Sequence, residues 1–275
     1  MKSEAHKESI ARAEIVRAEL EKCTLCPRQC KVNRIQGERG YCGLDDKVRV
    51  FREMLHPYEE SIINPSHQIY FAGCNLKCAF CTVAEWNEQP NAAPEIDYEQ
   101  MALKIKKRRI QGAKTLNLLG GEPAINAQGI FELLRRVSPD STVVLNSNMY
   151  FDRRLFALLD GFIDVYLADF KCGNNACATE MLESENYLEI VCDNILAASQ
   201  QSEVILRHLI LPGHFMCCTR NILNWIAKEI PGVKLSLRAD YAPPAQSTRV
   251  PNDYLDESEY DRVVDYSRNL GLNLI

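Results

Sequence analysis

The chain lacks any run of about twenty uncharged apolar residues, which excludes a helical membrane span. Its first twenty residues, MKSEAHKESIARAEIVRAEL, interleave charge with apolar residues and lack the apolar stretch of an export signal. A cytoplasmic address is therefore expected. Positive charge is not in excess: 32 Lys+Arg against 37 Asp+Glu leave a net charge of −5, so no nucleic-acid footprint is expected. Low-complexity tracts and internal repeats are missing, and tryptophan is scarce. Even so, 275 residues with 46% hydrophobic content suffice for one large domain, or for a domain plus a small appendage.

What is present in excess is cysteine, twelve in all. A reducing cytoplasm does not keep disulfides, so this density points to metal or redox chemistry. Cys23, Cys26, Cys30 and Cys42 form one group; Cys74, Cys78 and Cys81 form another. Cys172, Cys177, Cys192, Cys217 and Cys218 are scattered, apart from the Cys172…Cys177 pair and the Cys217–Cys218 doublet, and are expected mostly to pack as small hydrophobes, with a third metal site as the alternative.

Residues 4–22 read as a helix with a modest apolar stripe (Ile10, Ala11, Ile15, Ala18, Leu20), expected to pack on the body. Residues 23–43, with Pro27, Gly37, Gly40 and Gly43, read as a loop organised by a ligand. From residue 68 strand and helix signals alternate. Strands are expected at 68–73, 114–120, 141–146, 162–169, 203–211 and 233–239. Helices are expected at 97–110, 125–137, 152–159, 179–199, 219–230 and 256–269, with Asp97 as an N-cap and Pro231 as a stop. Six strand–helix repeats mean a parallel α/β sheet, whose ligands collect at the carboxyl ends of the strands.

At the first strand end stands AGCNLKCAFCTV, where Cys74, Cys78 and Cys81 put three thiolates on one short loop. Three ligands on a four-iron cube leave one iron open for substrate. A structural metal loop completed by a distant ligand is the competing reading. At the second strand end stands Gly120–Gly121–Glu122–Pro123. A buried carboxylate there suits an ammonium group, because the pair strengthens in a dry site. Asn146–Ser147–Asn148 ends the third strand and Asp169 and Lys171 end the fourth, as ligand contacts or as turn caps and an ordinary ion pair. Arg207 and His208 lie inside the apolar run EVILRHLIL, Arg207 as the stronger site candidate and His208 as a satisfied core histidine.

The cysteine loop, including Phe80 before its last cysteine, is similar to the signature of the radical S-adenosylmethionine superfamily, and Gly120–Gly121–Glu122–Pro123 is similar to its second motif, in the same order. VNRIQGERGYCG, HPYEE, NSNMY, DVYLADFK and RHLILPGH resemble the branch similar to pyruvate formate-lyase activating enzyme. The resemblance implies a partial (β/α)6 TIM-like barrel over 61–275, preceded by an N-terminal helix and cysteine-rich metal-binding segment over 1–60. It implies that Cys74, Cys78 and Cys81 hold a [4Fe–4S] cluster whose open iron takes the amino and carboxylate groups of S-adenosylmethionine. Gly120, Gly121 and Glu122 would receive the amino group. Phe80, Asn146, Asn148, Asp169, Lys171 and Arg207 would line the cofactor. The implied reaction is reductive cleavage to a 5′-deoxyadenosyl radical that abstracts hydrogen, with a flavodoxin- or ferredoxin-type donor and a glycyl radical enzyme as protein substrate. Radical modification of a peptide or small molecule is the alternative. A non-catalytic iron–sulfur carrier or sensor is a third reading, opposed by the Gly-Gly-Glu-Pro motif. Thr82–Val83, Ser61 and Asp240 depart from the branch's pattern beside the expected substrate mouth.

Cys23, Cys26, Cys30 and Cys42 supply four soft ligands within twenty residues, which fits a closed zinc site or a second iron–sulfur cluster. Arg28, Lys31, Arg34 and Arg39 around them are expected to be solvated or to face a partner.

Overall fold

The structure, a computed structural model, describes residues 2–245 and 247–275. The described residues form eight strands, of which the fifth, β5, is Val165–Asp169. The chain divides into two compact units, residues 1–75, 83–147 and 151–166 in the first and 76–82, 148–150 and 167–275 in the second.

In the first unit, β2 (Ser66–Phe71), β3 (Thr115–Gly120) and β4 (Thr142–Ser147) pair in parallel, and β1 (Val50–His56) adds an antiparallel edge to β2. β1 was not expected from the sequence, because Arg52 and Glu53 interrupt its apolar residues. Side chains alternate across a strand. Ile69, Phe71, Leu116, Leu118, Val143 and Leu145 share one buried apolar face. Gln68, Tyr70 and Asn117 share the opposite one, which is polar although Gln68 and Asn117 are also buried. Helix α3 (Tyr98–Ile110) starts as expected at Asp97, whose carboxylate accepts from the Gln100 amide at 3.0 Å. Helix α4 (Ala127–Leu134) buries seven of its eight residues and packs on α1 (Lys2–Glu19). Helix α1 turns Ala5, Ser9 and Val16 inward, while Ile10 and Ile15 of the expected stripe are more than half exposed.

In the second unit, β6 (Glu203–Leu209), β7 (Lys234–Arg238) and a two-residue β8 (Asn273–Leu274) run in parallel. The helix expected over 179–199 is two helices, α6 (Asn175–Leu182) and α7 (Tyr187–Gln201). Glu183, left-handed at φ 56°, breaks them apart without the glycine that would announce such a stop. Helix α8 (Arg220–Glu229) follows a π-helical turn, Phe215–Thr219.

Candidate active site

The first unit brings the glycine motif onto the end of β2. The Gly121 amide donates to the Phe71 carbonyl at 2.8 Å, and the Glu122 amide to the Gly73 carbonyl at 2.9 Å. A Cβ on Gly120 would stand 2.2 Å from the Phe71 oxygen, and one on Gly121 would stand 2.0 Å from the Gly73 oxygen. Gly120 also sits at φ +127°. Only glycine permits this approach, which holds Glu122 one backbone residue from Cys74. The Glu122 carboxylate is fully buried, and its Oε1 accepts from the Ala124 amide at 2.9 Å and the Ser147 hydroxyl at 2.8 Å. Cys74 is buried as well. Asn146, the next residue back along β4, is half-buried.

The second unit holds the rest of the cysteine loop. The Lys77 amide donates to the Leu182 carbonyl at 3.2 Å and the Ala79 amide to the Met181 carbonyl at 2.8 Å, so the end of α6 carries residues 77 and 79. A turn from the Cys81 amide to the Cys78 carbonyl spans 3.0 Å. Burial pushes the Cys78 thiol up to about 12, with Lys171 opposing and Cys81 and Asp169 adding to the rise. These four groups therefore share one electrostatic neighbourhood. A sulfur so enclosed stays protonated unless a metal takes the proton's place. Lys171 and Asp169 form an ion pair of 2.7 Å. Phe80 is half-buried. Arg207 is half-buried on β6, close enough to Asp240 to help hold that carboxyl below its usual range, after the Arg238 hydrogen bond. His208 is a core histidine, as expected: its ring nitrogens meet the Phe170 carbonyl at 2.8 Å and the Thr219 hydroxyl at 3.0 Å. Asn148 caps a turn, accepting from the Tyr150 amide at 2.8 Å.

Cys23, Cys26, Cys30 and Cys42 line one cavity together with Leu25, Tyr41 and Arg34. Burial pushes the Cys26 thiol up to about 12, and the other three cysteines add to the shift. The surrounding arginines are not solvated as a set. Arg34 is buried and donates to the Asp45 carbonyl at 2.8 Å; Arg28 stacks on Tyr41 at 3.8 Å and donates to the Asn75 carbonyl at 3.0 Å. Asn75 directly follows Cys74. Arg39 makes a longer ion pair with Asp45, at 3.4 Å.

Two groups fall outside the residues that the motifs marked. Asn117 is buried with both amide atoms unpartnered, on the polar face with Gln68 and Tyr70. Cys177 stands together with His214, Cys217 and Cys218, which lie 37 to 41 positions further along the chain. The residues present fit an iron–sulfur cluster with a polar cofactor: three thiolates on one loop, a buried carboxylate over a glycine cradle, and an orphaned buried amide.

Residues 69–226 match the family model of the Radical SAM superfamily. The chain belongs to the radical SAM superfamily. Its relatives include an uncharacterized protein of Methanocaldococcus jannaschii, MJ0674, 34% identical over 272 residues that cover 96% of this chain and 79% of that protein. A 7-carboxy-7-deazaguanine synthase of Clostridium acetobutylicum is 39% identical over 75 residues, 27% of this chain and 32% of the relative. Among solved structures, Streptococcus suis SuiB bound to S-adenosylmethionine has a TM-score of 0.56 at 13% identity, covering 74% of this chain. The chain spans 47% of SuiB's length. That likeness shows the fold, the α/β partial barrel. Membership of the radical SAM superfamily brings its cofactors, a [4Fe–4S] cluster and S-adenosylmethionine, and makes the chain an enzyme. No helix among the described residues is long and apolar enough to cross a membrane.

Proposed function

We propose that this radical SAM enzyme binds its catalytic [4Fe–4S] cluster through Cys74, Cys78 and Cys81 and abstracts hydrogen from a backbone glycine of a partner protein. The observation that carries the site is Glu122: a fully buried carboxylate, held at the Gly73 carbonyl next to Cys74, with the neutral donors Ala124 and Ser147 on one oxygen. A carboxylate in so dry a site pairs strongly with an ammonium group, and the ammonium of S-adenosylmethionine is the cation that the motif serves. Bound together, the cluster and S-adenosylmethionine supply the reductive cleavage and the 5′-deoxyadenosyl radical that takes the hydrogen atom.

The protein's part is to orient and to keep water out. Gly120 and Gly121 set the height of Glu122, and Ser147 fixes its rotamer. Asn146, Asn148, Phe80 and Arg207 are assigned to the cofactor's nucleoside and carboxylate. The Asp169–Lys171 pair tunes the charge around Cys78. Residues 1–60 form a metal-binding segment over Cys23, Cys26, Cys30 and Cys42, holding either zinc or a second cluster that receives electrons from a flavodoxin- or ferredoxin-type donor.

The glycyl-radical reading rests on the stretches from VNRIQGERGYCG to RHLILPGH. Radical modification of a peptide is the second reading, favoured by the likeness to SuiB, which has been solved with its precursor peptide SuiA. Anaerobic, dithionite-reduced protein incubated with S-adenosylmethionine and a purified glycyl radical enzyme should give a glycyl-radical electron paramagnetic resonance signal on that partner. 5′-Deoxyadenosine with no partner radical, and a modified peptide instead, would favour the second reading.

A further inference from the structure

The second unit gathers four ligand-type side chains that the proposed reaction does not use. Cys177 lies in the first turn of α6, His214 follows β6, and Cys217 and Cys218 lie in the π-helical turn before α8. Their three sulfurs and one imidazole nitrogen all lie within 4.8 Å of one another. His214 Nδ1 is 3.3 Å from Cys217 Sγ and 4.0 Å from Cys177 Sγ. Donors bound at about 2.3 Å around one tetrahedral ion stand about 3.8 Å apart, so a small contraction closes this set on a single metal. A [4Fe–4S] cube places each thiolate on its own iron and spreads the sulfurs further.

The surroundings are built for the cluster of sulfurs. Asn174 donates from Nδ2 to Cys177 Sγ at 3.2 Å and to Cys218 Sγ at 3.8 Å, while the same nitrogen holds the Cys217 carbonyl at 2.7 Å. Its Oδ1 caps α6 by accepting from the Cys177 amide at 2.8 Å. A Cβ on Gly173 would lie 2.2 Å from the Cys218 carbonyl oxygen, so glycine lets the two segments close on each other. The His214 carbonyl accepts from both the Cys218 amide at 2.9 Å and the Thr219 amide at 3.2 Å, the wide turn that directs both cysteines. Outer hydrogen bonds of this kind orient metal ligands and temper thiolate charge.

We propose that Cys177, His214, Cys217 and Cys218 form a closed Cys3His site for one structural zinc ion. Sulfur and imidazole donors in a tetrahedral set favour zinc. Binding releases the thiol protons and leaves the imidazole neutral. With four protein ligands the ion has no open position, so its role is to brace. It ties the start of α6 to the turn before α8, and the end of α6 carries residues 77 and 79 through Leu182 and Met181. The zinc thereby stiffens the support of the loop that bears Cys78 and Cys81.

The test is metal analysis of the full-length protein purified without chelator, beside the Cys177→Ser/Cys217→Ser double variant. Zinc should fall by one ion per chain in the variant while iron is retained. Unchanged zinc, or a loss of iron in its place, would overturn the assignment. Thiol alkylation of the wild type covers a variant that does not fold. Cys177, Cys217 and Cys218 should resist iodoacetamide until a zinc chelator is added and react at least tenfold faster afterwards. Equal rates before and after chelation, or a disulfide among the three, would overturn it too. Neither readout needs S-adenosylmethionine, so this site stands or falls apart from the proposed reaction.

Discussion

The buried guanidinium of Arg34 donates from Nη1 to the carbonyl of Ile125 at 3.1 Å, three residues beyond Glu122. One bond thus ties the four-cysteine segment to the glycine–glutamate turn within the first unit. Arg34→Met removes this bond and the one to Asp45, and should lower stability by about 2–4 kcal/mol. Denaturant unfolding checks this; a change below about 0.5 kcal/mol, the level of an ordinary surface substitution, would mean that the two segments are not coupled.

Glu122→Gln keeps the shape of the side chain and removes its charge. Affinity for S-adenosylmethionine should fall by about 2–3 kcal/mol, the scale of a charge-assisted hydrogen bond. Iron and sulfide content should stay at the wild-type level. Calorimetry on the reconstituted protein reads the affinity, and an unchanged value would remove Glu122 from the cofactor's amino group.

Asn117 carries an amide buried without a partner on either atom, an arrangement that costs about 1–3 kcal/mol. Asn117→Leu should therefore raise the stability of the cofactor-free protein by about 1–2 kcal/mol and weaken S-adenosylmethionine binding. A variant that is stabilised and binds as well as the wild type would show that the amide serves no ligand.

Exchanging Cys26 and Cys30 for serine separates the two metals open to the N-terminal segment. With zinc there, the variant should lose zinc, become less stable and keep dithionite-driven cleavage of S-adenosylmethionine, because metal-binding energy at such a site is folding energy. With a second cluster, iron should fall by about four per chain, and activity with a protein reductant should fall more than activity with dithionite.

Much of the α/β order was legible because β2 to β7 are apolar runs separated by helical stretches. Asp97 starts α3 where its side chain suggested, and α9 (Glu257–Asn269) lies within the helix expected over 256–269. The unread parts depended on tertiary contacts. β1 is stabilised by its pairing with β2 and so tolerates Arg52 and Glu53. Helix α1 buries Ala5 and Ser9 in place of Ile10 and Ile15, because close approach to α4 favours small side chains. The positive charges at Arg28 and Arg34 looked solvated, yet backbone carbonyls take them up. The motif residues Cys74, Cys78, Cys81 and Glu122 were visible because their spacing is local. Cys177 and His214, separated by thirty-seven positions, have no local spacing to read.

The central claim is that the loop from Cys74 to Cys81 carries the catalytic cluster. Its most direct test is 5′-deoxyadenosine formation from S-adenosylmethionine by anaerobically reconstituted, dithionite-reduced protein, wild type against Cys74→Ala/Cys78→Ala/Cys81→Ala. The wild type should form 5′-deoxyadenosine and the triple variant none, with about four irons fewer per chain. Continued 5′-deoxyadenosine formation by a folded triple variant would contradict the account.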